Sequence, residues 1–289
     1  MHTNFLEYRT WEEALEAATP KGYENSNLVE SVVLKTSALK NKFSRRHSDL
    51  VVDLSFRKRW LQRIKLEKLA RSSKEKIPAF VQKYLSGMEI LRTVGAVGWA
   101  KVNEDLRVLD FGGAAGHHYL LADSFFCGRQ KLRWNVVETP AMAAAARRIE
   151  LPGLSFYSDL EKAAADLKEI DLIFASGSLH CCPKPLETLK KLASLGSKKI
   201  VVTRTCYLDN YPFRFLLQRS MLSENGPGPL PAGIQDKEIF YPNALVPKDA
   251  ALAELQRRYR TVLWMKENEN LFLVAGQSVH MYGFWGELA

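Results

Sequence analysis

The chain is poor in cysteine: four in 289 residues, at Cys127, Cys181, Cys182 and Cys206. None stands in C-x-x-C spacing, so neither a zinc site nor a disulfide framework is indicated, and no metal is expected. There is no apolar run of membrane-spanning length, which excludes a transmembrane helix. The opening Met1-His2-Thr3-Asn4 is polar and lacks a secretory apolar core. A reduced, cytoplasmic protein is the expectation. Two phosphate signatures are missing as well. The glycine run at 112–116 reads G-G-x-x-G and not the dinucleotide G-x-G-x-x-G. It is followed by His117-His118, where a P-loop needs Lys-Ser/Thr.

What is present suits one large or one-and-a-half domains with a real core: 46% of residues are hydrophobic and 25% charged. The net charge of +9 is unevenly spread. Between Lys35 and Lys83 there are 15 Lys and Arg against 4 Asp and Glu, a local balance of +11 that leaves about −2 for the rest. That segment fits nucleic acid, anionic lipid headgroups or a phosphorylated substrate; a solvated basic helical face fits it equally.

Residues 1–100 read as a helical, basic N-terminal region. Thr10 with Glu13 forms a capping-box pattern before a helix over Trp11–Ala18, ended by Pro20 and Gly22. Further helices are expected over Asn27–Asn41, Ser55–Ser72 and Ile77–Val97. The third of these four is the most amphipathic, with Phe56, Trp60 and Ile64 flanked by Arg57, Lys58 and Arg63. Such a helix suits a membrane surface, including the inner membrane, or packing on a neighbouring domain.

From Arg107 the pattern alternates. Strands are predicted at 107–111, 133–138, 154–157, 171–176 and 199–204, with helices at 117–126, 140–149, 159–168 and 185–194. Alternation of this kind predicts a parallel sheet covered on both faces. Tyr259–Lys266 and Leu271–Gln277, joined at 267–270, predict a terminal antiparallel hairpin and a seven-stranded sheet. Residues 207–248 interrupt this scheme. Their Gly- and Pro-rich run Asn225–Gly233 cannot be regular structure, and the whole insertion 207–248 reads as a substrate lid. The domain expectation is 1–100, then 101–289 with that insertion.

The chemistry concentrates at strand ends. A strand, a glycine turn at Gly112, Gly113 and Gly116, and a helix N-terminus form a nucleotide-type site. Glu138 ends the second predicted strand, 22 residues after Gly116, where a carboxylate can accept from both ribose hydroxyls. Ser158 and Asp159 follow the third, suited to an adenine amino group or, for Asp159, to a plain helix cap. Ser176 and Gly177 close the fourth and lead to His180, the best-placed general base or else a packing residue. Cys181 and Cys182 read as small packing residues. With an acid before the turn and another after the second strand, the pattern suits a nucleoside bearing a cationic sulfonium, with Asp110 facing the cationic end.

The pattern Asp110-Phe111-Gly112-Gly113-x-x-Gly116 with Glu138 and the terminal hairpin resembles class I S-adenosylmethionine-dependent methyltransferases, over residues 107 to about 277. The resemblance implies a Rossmann-like fold and S-adenosylmethionine as cofactor, with S-adenosylhomocysteine as product. It implies Asp110, Gly112, Ala114 and Gly116 as the methionyl and ribose loop, Glu138 as the ribose acid and Asp159 as an adenine contact. Gly22-Tyr23, Arg133 to Glu138, Phe156-Tyr157, Ser176 to Leu179 and Thr203-Arg204-Thr205 look like a bacterial methyltransferase family associated with surface-polysaccharide and O-antigen biosynthesis. This chain departs from it by having His180-Cys181 where Gln-Tyr is the pattern. Arg204, Gln218, Tyr241 and Pro242 match and are implied to line the acceptor side, and Arg204 joins His180 as a candidate catalytic residue.

The function expected is methyl transfer to an oxygen or nitrogen of a small molecule or glycan, such as a sugar nucleotide or lipid-linked saccharide. RNA methylation is the alternative favoured by the basic segment. Against it stand the lack of an Asn/Asp-Pro-Pro-aromatic tetrapeptide after the fourth strand and of a separate RNA-binding module. A scaffold that binds the cofactor without transferring methyl is the second alternative.

Overall fold

A computed structural model describes residues 6–50, 87–100, 105–126, 131–209, 214–267, 272–274 and 277–289. The amphipathic segment expected at Ser55–Ser72 lies outside the described residues, as does Cys127. In chain order the elements are β1 (Leu6–Tyr8), α1 (Trp11–Glu16), α2 (Ser26–Leu50), α3 (Gly87–Ala100), β2 (Asp105–Phe111), α4 (His117–Phe126) and β3 (Lys131–Val137). There follow α5 (Pro140–Ala146), β4 (Leu154–Tyr157), α6 (Leu160–Leu167), β5 (Leu172–Ser176), α7 (Pro185–Ser194) and β6 (Lys199–Leu208). The chain ends with β7 (Arg214–Met221), β8 (Glu238–Pro247), α8 (Lys248–Gln256), β9 (Tyr259–Lys266), β10 (Phe272–Val274) and β11 (Gln277–Leu288).

The helices begin where their caps dictate. The Thr10 hydroxyl accepts the Glu13 N–H while the Glu13 carboxylate reaches back to the Thr10 N–H. The Thr139 and Asp159 side chains cap α5 and α6 by accepting the Met142 and Lys162 N–H groups, and Pro140 and Pro185 occupy first-turn positions that need no N–H.

β2 pairs in parallel with β3 on one side and β5 on the other, β3 with β4, and β5 with β6. β11 then runs antiparallel between β6 and β9. The central order is therefore β4-β3-β2-β5-β6-β11-β9, a Rossmann-like, mostly parallel sheet. The order reverses between β2 and β5, which makes their carboxyl ends the topological switch point.

Two expectations are corrected. The terminal hairpin partner of β9 is Gln277–Leu288, whereas 272–274 folds back onto 277–279 as a short added strand. The insertion is not all loop. β7 and β8 form an antiparallel pair, β8 continues alongside the end of β6, and β1 adds to β7, so the described sheet has 11 strands. Six consecutive buried residues in β8, Tyr241 to Val246, with Leu216 and Leu217 of β7, anchor this extension in the core. Asn225–Gly233 is irregular, as its composition requires.

Both faces of the sheet are buried. Leu106, Val108, Trp134 and Val136 pack under α2, α3, α4 and α5, through Val29, Val33, Val97, Ala122 and Ala146. Leu109, Ile173, Ile200 and Val202 pack under α6, α7 and α8, through Leu167, Leu189 and Leu255. Each fully buried large side chain contributes about 1.5–3 kcal/mol. The described N-terminal helices thus share one core with the sheet.

Candidate functional site

A cavity of about 570 Å³ opens at the switch point. Its floor is Phe111, Gly112 and Ala114 after β2, Val137 and Glu138 after β3, and Gly177 and Ser178 after β5. Backbone geometry explains why the turn is glycine-rich. Gly112 has φ +71°, and a Cβ there would stand 2.1 Å from the Ser178 Cβ. A Cβ on Gly113 would stand 2.3 Å from Asp110 Oδ2. Ala114 adopts φ +51°, a left-handed conformation that costs a non-glycine residue about 1–2 kcal/mol.

Glu138 holds that strained residue. Its Oε1 accepts the Ala114 N–H at 2.9 Å and its Oε2 accepts the Thr139 N–H at 2.9 Å. Burial raises the Glu138 pKa, with the nearby Asp110 adding to the rise and the two N–H groups opposing it. The carboxylate faces the cavity already oriented by main-chain donors.

Asp110 stands back from the cavity. It is wholly buried beneath the turn, where Oδ2 is 3.0 Å from His118 Nδ1 and accepts the Trp134 Nε1–H at 2.9 Å. It supports the turn from below and does not line the cavity. Gly113, Gly116 and Ser176 likewise stand behind the wall; Gly116 lies against Leu154 and Phe156 of β4. Ser158 and Asp159 do line it, together with Leu160 and Pro140. Asp159 has both roles open to it, since its Oδ1 also caps α6 through the Lys162 N–H at 2.8 Å.

His180 and Arg204 are not on the cavity wall. Burial, helped by the Arg204 charge, pulls the His180 pKa down to about 4, so the imidazole is neutral at physiological pH. Cys181 and Cys182 do line the cavity, and their thiols donate to the Gly177 and Ser178 carbonyls. Burial pushes both thiols up, Cys182 to about 11, which leaves them unreactive.

The opposite wall comes from residues whose single-sequence pattern signals only a helix. Tyr23, Leu28 and Val32 close the cavity from the N-terminal side, and Asn225 and Gly226 close it from the irregular run. A buried lysine ties these two together. Lys35 Nζ donates to the carbonyls of Leu222, Ser223 and Asn225 at 3.2, 2.9 and 2.6 Å. The run expected to act as a lid is thereby fastened to α2.

No protein-family model matches the chain, and no curated protein matches it. Solved structures similar to it include an S-adenosylmethionine-dependent methyltransferase from Clostridium acetobutylicum, 10% identical, covering 78% of this chain and 99% of that one, TM-score 0.41. A glycopeptide N-methyltransferase complexed with S-adenosyl-L-methionine is 13% identical, covering 68% and 94%, TM-score 0.39. Human N-acetylserotonin methyltransferase, in complex with SAM, is 15% identical, covering 70% and 53%, TM-score 0.37.

Proposed function

We propose that the chain binds S-adenosylmethionine at the switch-point cavity and transfers its methyl group to an oxygen or nitrogen of a small-molecule or glycan acceptor. The observation that carries this reading is Glu138: a partly buried carboxylate at the end of β3, lining the cavity and fixed by the N–H groups of Ala114 and Thr139. A carboxylate so placed accepts from a ribose diol. The cavity is large enough for a nucleoside with a short tail, and its polar and apolar walls fit one. Leu160 and Pro140 provide apolar faces for a purine, Ser158 and Asp159 polar groups at its edge, and Gly112 and Gly177 room beside the glycine turn.

When bound, the cofactor supplies an electrophilic methyl on a sulfonium. The chain supplies position and exclusion of water. Cys181, Cys182 and Tyr23 remain protonated, because burial raises all three pKa values. None of them is an anionic nucleophile competing for the methyl group. The acceptor class reads as a sugar nucleotide or lipid-linked saccharide, with the basic segment 35–83, apart from the buried Lys35, supplying cations for phosphate groups or an anionic membrane surface. Calorimetric titration with S-adenosylhomocysteine tests the donor site: wild type binds, and Glu138→Ala and Gly112→Val do not.

A further inference from the structure

Arg204 carries a charge with no ion-pair partner among the described residues. It sits within β6, near the carboxyl end of the parallel sheet, with φ +55°, a conformation rarely held by a residue with a side chain. The strain is imposed by its neighbours. The Arg204 N–H donates to Glu267 Oε2 at 2.6 Å, and the Thr203 hydroxyl donates to Glu267 Oε1. Glu267 is wholly buried and also accepts from Arg92 Nε at 2.9 Å. Its oxygens are committed to those three donors. The guanidinium of Arg204 forms no ion pair or hydrogen bond among the described residues.

Its side chain lies close to the proposed methyl donor. The guanidinium carbon is 3.3 Å from where a Cβ on Gly177 would stand, and Gly177 lines the cavity. His180, Cys206 and Tyr241 all feel its charge, and the Tyr241 ring packs on Tyr23 of the cavity wall at 4.3 Å between centroids. The buried His180 Nδ1 and Asn243 Oδ1 are without partners. A partly buried guanidinium held rigid, strained and unpaired is costly to the fold. Its planar donor fork matches a carboxylate or a phosphate.

We infer that Arg204 is the anion-binding end of an acceptor pocket adjoining Gly177, and that the acceptor carries an oxyanion, a carboxylate or a phosphate, near the atom that is modified. The word acceptor rests on the methyl-transfer reading; the anion site does not.

The experiment is calorimetric titration of the full chain with inorganic phosphate and, separately, with acetate, in wild type, Arg204→Gly and Arg204→Lys. Glycine accepts φ +55° without strain, so Arg204→Gly removes the charge while keeping the backbone. Wild type is expected to bind one of the two anions in the millimolar range, and the anion bound tells carboxylate from phosphate. Arg204→Gly is expected to lose about tenfold or more, the worth of a charge-assisted contact, and Arg204→Lys to fall between. The thermal midpoint of Arg204→Gly checks its folding; should that variant unfold, Arg204→Lys decides. Binding of neither anion by wild type, or equal binding in the variants that fold, overturns the proposal. Titration with S-adenosylhomocysteine in parallel separates the two readings. Failure of the wild type there, with anion binding still lost on substitution, counts against the donor site and leaves the anion site standing.

Discussion

Glu138 holds the main-chain N–H of Ala114 at 2.9 Å, tying the end of β3 to the glycine turn after β2. The contact uses one Glu138 oxygen to hold Ala114, which is itself strained at φ +51°. Substitution of Glu138 therefore acts twice, removing a ligand acceptor and releasing the turn. Glu138→Gln keeps the shape but loses the charge. It is expected to weaken S-adenosylhomocysteine binding by about tenfold, as loss of a charge-assisted hydrogen bond implies, with the larger loss in Glu138→Ala. Titration of both variants checks the order.

Gly113→Ala is expected to damage the fold as well as the site. Its Cβ would meet the Asp110 carboxylate at 2.3 Å, and that carboxylate is held by His118 and Trp134 and cannot swing away. Forced overpacking of this kind costs about 1–3 kcal/mol. Urea unfolding of the variant measures it.

Lys35 fastens the irregular run to α2, and burial draws its pKa from 10.5 down to about 8, with Asp236 opposing. Between those two values the unfolded chain holds a proton that the folded chain releases. The residue's contribution to stability therefore rises with pH across that window, and Lys35→Met is expected to abolish that rise. The same variant leaves three carbonyls without their donor. Amide exchange over 222–226 is expected to quicken by about tenfold, the equivalent of one charge-assisted hydrogen bond.

His180 has the same sign in a lower window. Its pKa falls from 6.5 to about 4, so on acidification the unfolded chain takes a proton that the folded chain refuses. Stability is expected to fall as pH drops through that range, by up to about 3 kcal/mol. Urea midpoints at neutral and acid pH, compared with those of His180→Phe, isolate the contribution. A neutral imidazole over the physiological range also predicts no activity inflexion from His180 above pH 5.

The sheet was legible because its signals are local. Buried β-rich runs, the capping box at Thr10 and Glu13, and Pro140 and Pro185 at helix starts need no distant partner to act. The floor of the cavity was legible for the same reason, since Gly112 and Glu138 follow directly on their strands. The direction of the Asp110 carboxylate was not legible, because the strand position says only that it ends near the turn, while Trp134 and His118 decide which way it points. Tyr23 belongs to the resembling pattern and Asn225 to the expected lid, but that they meet Val32 in one wall was out of reach. It depends on packing between segments some 200 residues apart, fastened by Lys35. β7 and β8 were hidden by the Gly- and Pro-rich run between them, which masks a long-range antiparallel pair.

The central claim is that the switch-point cavity is a donor site read by Glu138. Its most direct test is calorimetric titration of the full chain with S-adenosylhomocysteine, wild type against Glu138→Ala, with thermal midpoints recorded without ligand. The account predicts binding at one site by wild type and its loss in a folded Glu138→Ala. Absence of binding by wild type, or equal affinity in the two proteins, would contradict it.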